Sequence, residues 1–176
     1  EADAHGVYKP YLCAGFGEIK TENSLKVLLW LLDDESLIVR QEAIKSLANW
    51  GRDIVQPVLS VFPTVSRETK MSMMKLLGRI LGLEVVQMFN DTFGNPNQDG
   101  KYFLLTALGE VRDSKVIPIL LPFLKDETIF IRDYAQSIIV QLGVLAVDTL
   151  VSHLDTEDED LIIQILKVIG ILGSKE

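Results

Sequence analysis

One segment of this chain occurs twice, 92 residues apart. The residues of 32–43 read LDDESLIVRQEA and those of 124–135 read LKDETIFIRDYA, so Leu, Asp, Glu, Arg and Ala recur in place. Weaker copies lie between and after them, which makes the offset three periods of about 31 residues, within the range of tandem structural repeats. A repeat of this length predicts a stack of similar units, each burying its apolar face against the next.

Glycines support the same period. Gly51, Gly82, Gly143 and Gly173 follow apolar runs at intervals of 31, 61 and 30 residues. A glycine in this position is typical of a helix end, where one residue adopts a positive φ. We therefore expect all four glycines to end helices in that conformation.

The apolar spacing within each repeat predicts two helices. In the second one, a single stripe is formed by the apolar residues Val39, Ala43, Ile44, Leu47 and Ala48. The opposite side carries the polar residues Arg40, Gln41, Glu42, Lys45, Ser46 and Asn49. The first helix is a shorter apolar run without the alternation of a strand. Its copies cover 25–32, 54–62, 83–89, 116–124 and 146–154, and Pro122 should kink the fourth.

The predicted fold is all-α, with about five helix pairs in one domain over residues 1–176. An unpaired helix over 8–19 comes before the pairs, since this segment matches only a second helix. Apolar Ile163, Ile171 and Leu172 occupy a terminal repeat whose outer face should be polar. We therefore expect a fragment of a longer protein, whose exposed terminal repeats could also self-associate.

The repeat unit resembles a HEAT repeat, in the short bacterial form related to bilin-lyase HEAT-like repeats. The residues that carry the resemblance are the acidic turns Asp33-Asp34-Glu35 and Asp126-Glu127, the pairs Val39-Arg40 and Ile131-Arg132, then Ala43 and Ala135, and finally Gly51 and Gly143. In the two middle repeats Lys70-Met71 and Gly100-Lys101 replace the Val-Arg pair. The resemblance covers nearly the whole chain and implies a right-handed α-α superhelix, but it indicates little about activity.

The amino-acid composition limits the classes of partner that we expect for this chain. Apolar residues make up 48% of the chain, enough for a substantial core, and the formal net charge is −8. A nucleic-acid partner is not expected, because phosphate binding needs clustered Lys and Arg. The single cysteine, Cys13, predicts a buried structural thiol and favours a reducing, cytoplasmic location. The most apolar stretch, 161–172, is too short to span a membrane and contains Gln164 and Lys167.

No residue pattern predicts catalysis, a metal site or a cofactor. The two histidines, His5 and His153, lie far apart in sequence, and paired His-Glu steps like those of di-iron hydroxylases with similar repeats are missing. The sequence NPNQDG over 95–100 resembles the start of a calcium loop, but Thr106 stands where the loop needs Glu. A turn is the simpler interpretation. Arg40 and Arg132 should form hydrogen bonds between repeats, to an acidic turn.

The predicted function is a non-catalytic scaffold that binds a protein or peptide on the concave surface formed by the second helices. The residues expected on this ridge are Lys45, Asn49, Lys75, Arg79, Tyr102, Thr106, Asp133 and Gln141. Tyr102 is the one aromatic residue expected there, and its central place suits an interface anchor. Two alternatives stay open: a tetrapyrrole-handling enzyme accessory similar to bilin lyases, with Cys13 as its one thiol, and a DNA-binding module.

Overall fold

The computed structural model describes residues 4–94 and 97–174, which form helices joined by turns, with no strand among them. The predicted all-α class is therefore confirmed. The chain divides into two compact units, Glu1–Leu81 and Gly82–Glu176, which we describe separately. The division falls at Gly82, one of the predicted repeat boundaries. The assignment of 1–176 to one domain stays a prediction.

In its described residues, 4–81, the first unit consists of five α-helices. They are α1 (Ala4–Ile19), α2 (Glu22–Leu31), α3 (Leu37–Ala48), α4 (Val55–Val61) and α5 (Arg67–Leu81), with 3₁₀ segments at Gly51–Ile54 and Phe62–Thr64. Helix α3 packs against α1, α2 and α5. Leu47 of α3, Leu28 of α2 and Leu77 of α5 are fully buried in the core of this unit. The short and long helices alternate in the predicted order.

The second unit repeats this alternation. Its helices are α6 (Val85–Phe93), α7 (Gln98–Leu108), α8 (Ile117–Leu120), α9 (Ile129–Leu142), α10 (Val147–Ser152) and α11 (Glu159–Gly173). Within the described residues of this unit, 3₁₀ segments lie between helices at Ser114–Val116, Leu121–Lys125 and Gly143–Ala146, and another, Gly82–Glu84, precedes α6. Helix α9 contacts both α7 and α11, and Leu105, Ile139 and Ile165 are buried on these three helices.

The predicted helix-ending glycines are confirmed at three of four positions. Gly51, Gly82 and Gly143 have φ values of 60°, 57° and 61°. The expectation for Gly173 is wrong, since it is the last residue of α11 and has no positive φ. That helix closes in ordinary αR geometry at Ser174, whose N–H donates to the Gly170 carbonyl, so no left-handed residue is needed.

Proline shortens the first helix of the fourth pair. Pro118 lies in the first turn of α8, where a missing N–H costs no helical hydrogen bond. Helix α8 ends after four residues, and Pro122 lies in the 3₁₀ segment that continues from it. The distortion expected at Pro122 is thus a change from α to 3₁₀ geometry, because proline cannot donate to the α-helical ladder.

The two copies of the recurring segment have the same polar geometry. Arg40 Nη1 donates to the carbonyl oxygens of Asp34 and Glu35 at 2.7 and 3.0 Å. Arg132 Nη1 makes the same two bonds to its own turn, at 2.6 and 3.1 Å. The expected bond between repeats is therefore wrong: each arginine lies in the first turns of its helix and folds back over the turn before it.

Two lysines, rather than the two arginines, connect one repeat with the next. Lys9 Nζ lies 2.7 Å from Asp34 Oδ2, and Lys101 Nζ lies 2.5 Å from Asp126 Oδ2. Each pair joins residues 25 positions apart, so it ties a second helix to the acidic turn of the next pair. The carboxylate of Asp34 is largely buried, with 8% of its side chain exposed. This contact is therefore less screened by solvent than a surface ion pair.

Removing the Asp34 charge should reduce the stability of the first unit. Burial raises the pKa of this carboxyl, but bonds from Lys9 and the Ser36 N–H outweigh burial and hold the pKa below its ordinary value. A depressed carboxyl pKa contributes stability above about pH 4, and this contribution disappears as the pH falls through the folded-state pKa. We expect Asp34→Asn to lower the free energy of unfolding at pH 7 by about 1–3 kcal/mol and to flatten its fall below pH 4.

The measurement is urea unfolding followed by tryptophan fluorescence between about pH 2 and pH 7. Glu35→Gln is the matched control, because it removes one charge from the neighbouring, exposed side chain. Equal effects of the two substitutions would contradict a specific role for the Asp34 contact.

One stretch within the described residues, Ile129–Ser152, has the length and apolar content of a membrane-crossing helix, with a hydropathy of 1.5. It comprises α9, a 3₁₀ segment and α10, and Gly143 with φ 61° separates the two α-helices. Length and composition alone do not decide membrane insertion, so the expectation against it stays a prediction.

Candidate functional site

The ridge residues predicted for the first unit are exposed on α3 and α5. Lys45 Nζ pairs with Glu42 Oε1 at 2.5 Å, on the same helix. Asn49 is exposed and caps the C-terminus of α3. Lys75 and Arg79 are exposed one turn apart on α5. The first unit therefore presents a basic and amide-bearing surface at these positions.

In the second unit, three of the four predicted ridge residues reach the surface. Asp133 and Gln141 are exposed, and Tyr102 is half-buried. The prediction for Thr106 is wrong, because this residue is 1% exposed. Its hydroxyl donates to the Tyr102 carbonyl at 2.8 Å. Helix α7 contacts both α6 and α9, so a position opposite its apolar stripe can still be covered.

Tyr102 lies in a group of four aromatic side chains, which we call the aromatic cluster: Tyr102, Phe103, Phe130 and Tyr134. The Tyr102 ring centroid is 5.1 Å from that of Phe130 and 5.1 Å from that of Tyr134. The Phe130 and Tyr134 centroids are 6.3 Å apart, and Phe103 lies 6.5 Å from Tyr102. These distances are typical of attractive aromatic contacts. Helices α7 and α9 therefore hold the rings as one packed group.

The cluster is fixed on one side and open on the other. The Tyr134 hydroxyl donates to Thr106 Oγ1 at 3.4 Å, a bond that ties α9 to α7. Burial raises the pKa of the Tyr134 phenol, and the nearby Tyr102 and Glu110 also raise it, so the ring stays uncharged at neutral pH. Phe130, in contrast, is 57% exposed. Its ring offers an apolar face to solvent on an ordered base.

The expectation that Tyr102 is the one aromatic on this surface is wrong. Phe130 and Tyr134 are four residues apart on α9, so their side chains share a face. In the other copy of the recurring segment, Ile38 and Glu42 stand at these two positions. The available signal was this aromatic replacement at two equivalent positions of otherwise similar repeats.

A polar cleft is lined in part by α9, the helix that also carries Phe130 and Tyr134. Its volume is about 450 Å³, and its lining consists of Leu124, Lys125, Arg132, Asp133, Gln136, Asp160, Gln164 and Lys167. Lys125 Nζ forms an ion pair with Asp158 Oδ2 at 2.6 Å, and the Arg132 guanidinium donates a hydrogen bond to the Asp126 carbonyl oxygen in the turn before α9. Asp133 lines the cleft and follows Phe130 of the cluster by three residues on α9, a spacing that gives the two side chains neighbouring positions on the helix.

Net charge is unequally divided between the units. The residues of Glu1–Leu81 include ten basic and ten acidic side chains, whereas those of Gly82–Glu176 include seven basic and fifteen acidic ones. The whole formal charge of −8 therefore belongs to the unit that carries the aromatic cluster. Such a field attracts cationic partners over roughly a Debye length, about 8 Å at physiological salt.

Gln141 lies apart from these two surfaces. It lines a smaller cleft of about 320 Å³ between the C-terminal ends of α7 and α9, together with Gly109, Arg112, Ile138, Leu142 and Leu145. In the first unit, a more apolar cleft of about 480 Å³ is lined by Lys26, Leu29, Trp30, Asp33, Val61, Thr64 and Val65. Sequence reasoning assigned no site residue to the cleft of the first unit.

Cys13 and His153 were considered above for reactive or metal-binding roles, and both lie in surroundings typical of structural residues. Cys13 is fully buried, and burial, followed by the carboxylates of Glu42 and Asp34, raises its pKa to about 11. A thiol with this pKa is a poor nucleophile at neutral pH. His153 Nδ1 lies 2.8 Å from the Thr149 carbonyl oxygen of its own helix.

Part of the calcium-like segment, residues 95 and 96, lies outside the described residues, as does the side chain of His5. Asn97 caps α7, since its Oδ1 accepts a hydrogen bond from the Gly100 N–H at 2.9 Å. This contact is typical of a helix-initiating turn. Asn97 therefore has a structural contact that needs no calcium ion.

Neither a protein-family model nor a curated protein matches this chain. A proposal for the function of this chain therefore has to be argued from the chemistry of the aromatic cluster and of the polar cleft.

Proposed function

We propose that this protein is a non-catalytic interaction module of HEAT-like helical repeats, forming a right-handed superhelix, that binds a protein or peptide segment. The repetition of contacts supports the repeat assignment. The Arg40 and Arg132 bonds, and the Lys9–Asp34 and Lys101–Asp126 pairs, recur at the same 92-residue offset as the sequence motif. Modules of this kind bind partners along surfaces formed by successive helices.

The aromatic cluster is the observation that supports this function best. Binding energy in protein interfaces concentrates on a few large side chains near the centre of the contact. Phe130 is exposed while its neighbours in the cluster hold it, so little rotamer freedom remains to be lost on binding. An exposed ring on an ordered base is therefore a suitable anchor for an apolar or planar side chain of a partner.

The polar cleft complements the anchor. Gln136 and Gln164 lie on α9 and α11, and both line the cleft. A glutamine amide both donates and accepts hydrogen bonds, which suits it to the N–H and C=O groups of an extended peptide. A segment with one side chain on the cluster and its backbone along the cleft would use both surfaces.

The tetrapyrrole-handling alternative gains no support from the thiol. Covalent bilin attachment through a cysteine would need an accessible, ionisable sulfur, whereas Cys13 is fully buried with a raised pKa. The Cys13 Sγ instead lies 4.0 Å from the Val39 carbonyl oxygen, between α1 and α3. We therefore propose no enzymatic or chromophore-binding role.

Phe130→Ala should weaken peptide binding without affecting the fold. The experiment selects peptides from a displayed random library on the wild-type protein and measures their affinities for both proteins. We expect the selected peptides to bind Phe130→Ala at least tenfold more weakly, which corresponds to about 1.4 kcal/mol. The melting temperature should change little, because the substituted ring is largely exposed.

Ile129→Ala is the matched control. Ile129 is the neighbouring residue on α9 and is 65% exposed, but its side chain is aliphatic and is not one of the four rings of the cluster. Its substitution should leave affinity within about twofold of wild type. Failure to select any peptide, or equal losses in both variants, would contradict the proposed function at this site.

A further inference from the structure

We infer that the partner segment of the aromatic cluster is basic, and that it places an arginine side chain on the exposed ring of Phe130 with Asp133 as its counter-charge. This inference rests on the proposed function and specifies the chemistry of the partner. An open aromatic face can accept an aliphatic group, another ring or a cation. The charges around the cluster distinguish between these three occupants.

The geometry of α9 places a carboxylate beside the ring. Asp133 follows Phe130 by three residues, a spacing that brings side chains to neighbouring positions on one helix face. Asp133 is exposed, and within the described part of the chain no ion pair engages its carboxylate. A guanidinium stacked on the ring could therefore reach this carboxylate at the same time.

Arginine fits this arrangement better than lysine does. The planar guanidinium stacks on an aromatic face and, in the same pose, presents N–H donors at its edge to a carboxylate. An ammonium group is more strongly hydrated and offers no plane to stack. The combination of a ring and an adjacent carboxylate therefore favours arginine over other side chains.

The charge of the second unit supports a cationic partner over longer distances. Its fifteen acidic and seven basic residues give it the whole net charge of the protein. In the polar cleft, Asp160 is a second exposed carboxylate without an ion-pair partner among the described residues. A second basic residue of the segment could lie there, one helix further along.

One residue of the cleft, Lys167, carries a positive charge that would repel a basic partner. It lines the same cleft, is exposed, and has no ion-pair partner in the described chain. Lys125 and Arg132 contribute less, because Asp158 and turn carbonyls engage them. Lys167 therefore supplies a test with the opposite sign: its neutralisation should strengthen binding of a basic segment and weaken binding of an acidic one.

The experiment measures fluorescence anisotropy with short, capped, glycine-rich peptides that carry two arginines, two citrullines, two glutamates or two leucines. Citrulline keeps the shape of arginine but has no charge. We expect the arginine peptide to bind most tightly, with affinity falling as salt rises from about 0.05 M to about 0.3 M. Phe130→Ala and Asp133→Asn should each weaken it at least fivefold, and Lys167→Gln should strengthen it about twofold.

Asp148→Asn is the control for net charge. Asp148 is exposed on α10 and does not line the cleft, so this substitution removes one carboxylate from the same unit at a different place. It should change affinity by less than about twofold. Equal effects of Asp148→Asn and Asp133→Asn would overturn the inferred site, because they would show diffuse attraction alone.

The peptides also separate this inference from the proposed function. Tighter binding of the leucine or glutamate peptide, still lost in Phe130→Ala, would overturn the choice of arginine while leaving the interaction module intact. Equal binding of the arginine and citrulline peptides would likewise overturn the role of charge. Absence of binding by all four, together with failure of library selection, would overturn both.

Discussion

Leu47→Ala should lower the free energy of unfolding of the first unit by about 2–5 kcal/mol. Leu47 is fully buried on α3, which packs against α1, α2 and α5, so truncation removes apolar contacts and leaves a cavity between several helices. Urea unfolding followed by tryptophan fluorescence measures the loss. The protein's two tryptophans, Trp30 and Trp50, both belong to this unit, so the signal reports on it selectively.

Leu37→Ala is the control for this truncation. It makes the same chemical change at the start of the same helix, where the side chain is 58% exposed. The expected change is within about 0.5 kcal/mol, as for most surface substitutions. A loss after Leu47→Ala no larger than that of the control would contradict the assignment of Leu47 to the core.

Gly17→Ala should destabilise the same unit by about 1–3 kcal/mol, although alanine is the better helix former. A Cβ added at Gly17 would lie 2.9 Å from Ser46 Cβ and 3.1 Å from Ser46 Cα. Because the obstructing atoms are at or next to the backbone, α1 and α3 must move apart to admit one methyl group. The measurement is again urea unfolding by tryptophan fluorescence.

Gly15→Ala tests the same substitution in the same helix without the contact. No heavy atom would lie within 4 Å of a Cβ at Gly15, and this position is exposed. Alanine should therefore stabilise the helix, by up to about 1 kcal/mol. The two substitutions are expected to have opposite signs. A stabilising Gly17→Ala would show that the close approach of α1 and α3 is not required.

The helical elements could be predicted because their signals are local. Apolar residues at helical spacing mark α3, and the recurring motif marks α9, irrespective of what each helix packs against. The positive φ values at Gly51 and Gly143 follow from local backbone geometry in the same way. Gly173 shows the limit of this reasoning, since a glycine permits a left-handed conformation but does not impose it.

The burial of polar residues on the second helix of a pair could not be predicted from the position of the apolar stripe of that helix. Ser46 and Thr106 lie opposite the apolar stripes of their helices, yet they are 4% and 1% exposed. Each lies on a helix with neighbours on more than one side, as α3 contacts α1 and α5, and α7 contacts α6 and α9. A periodicity argument assigns one buried face to a helix and therefore places both residues in solvent.

The sequence by itself determined the repeat period, the helical class and the positions of the turns, because each depends on residues close together in the chain. Only the tertiary structure decided which surface positions meet. Tyr102 contacts Phe130 and Tyr134 across two helices, and Asp133 of α9 lines a cleft together with Asp160, Gln164 and Lys167 of α11. Such a site depends on the packing angle and register of helices distant in sequence, which no local pattern of residues specifies.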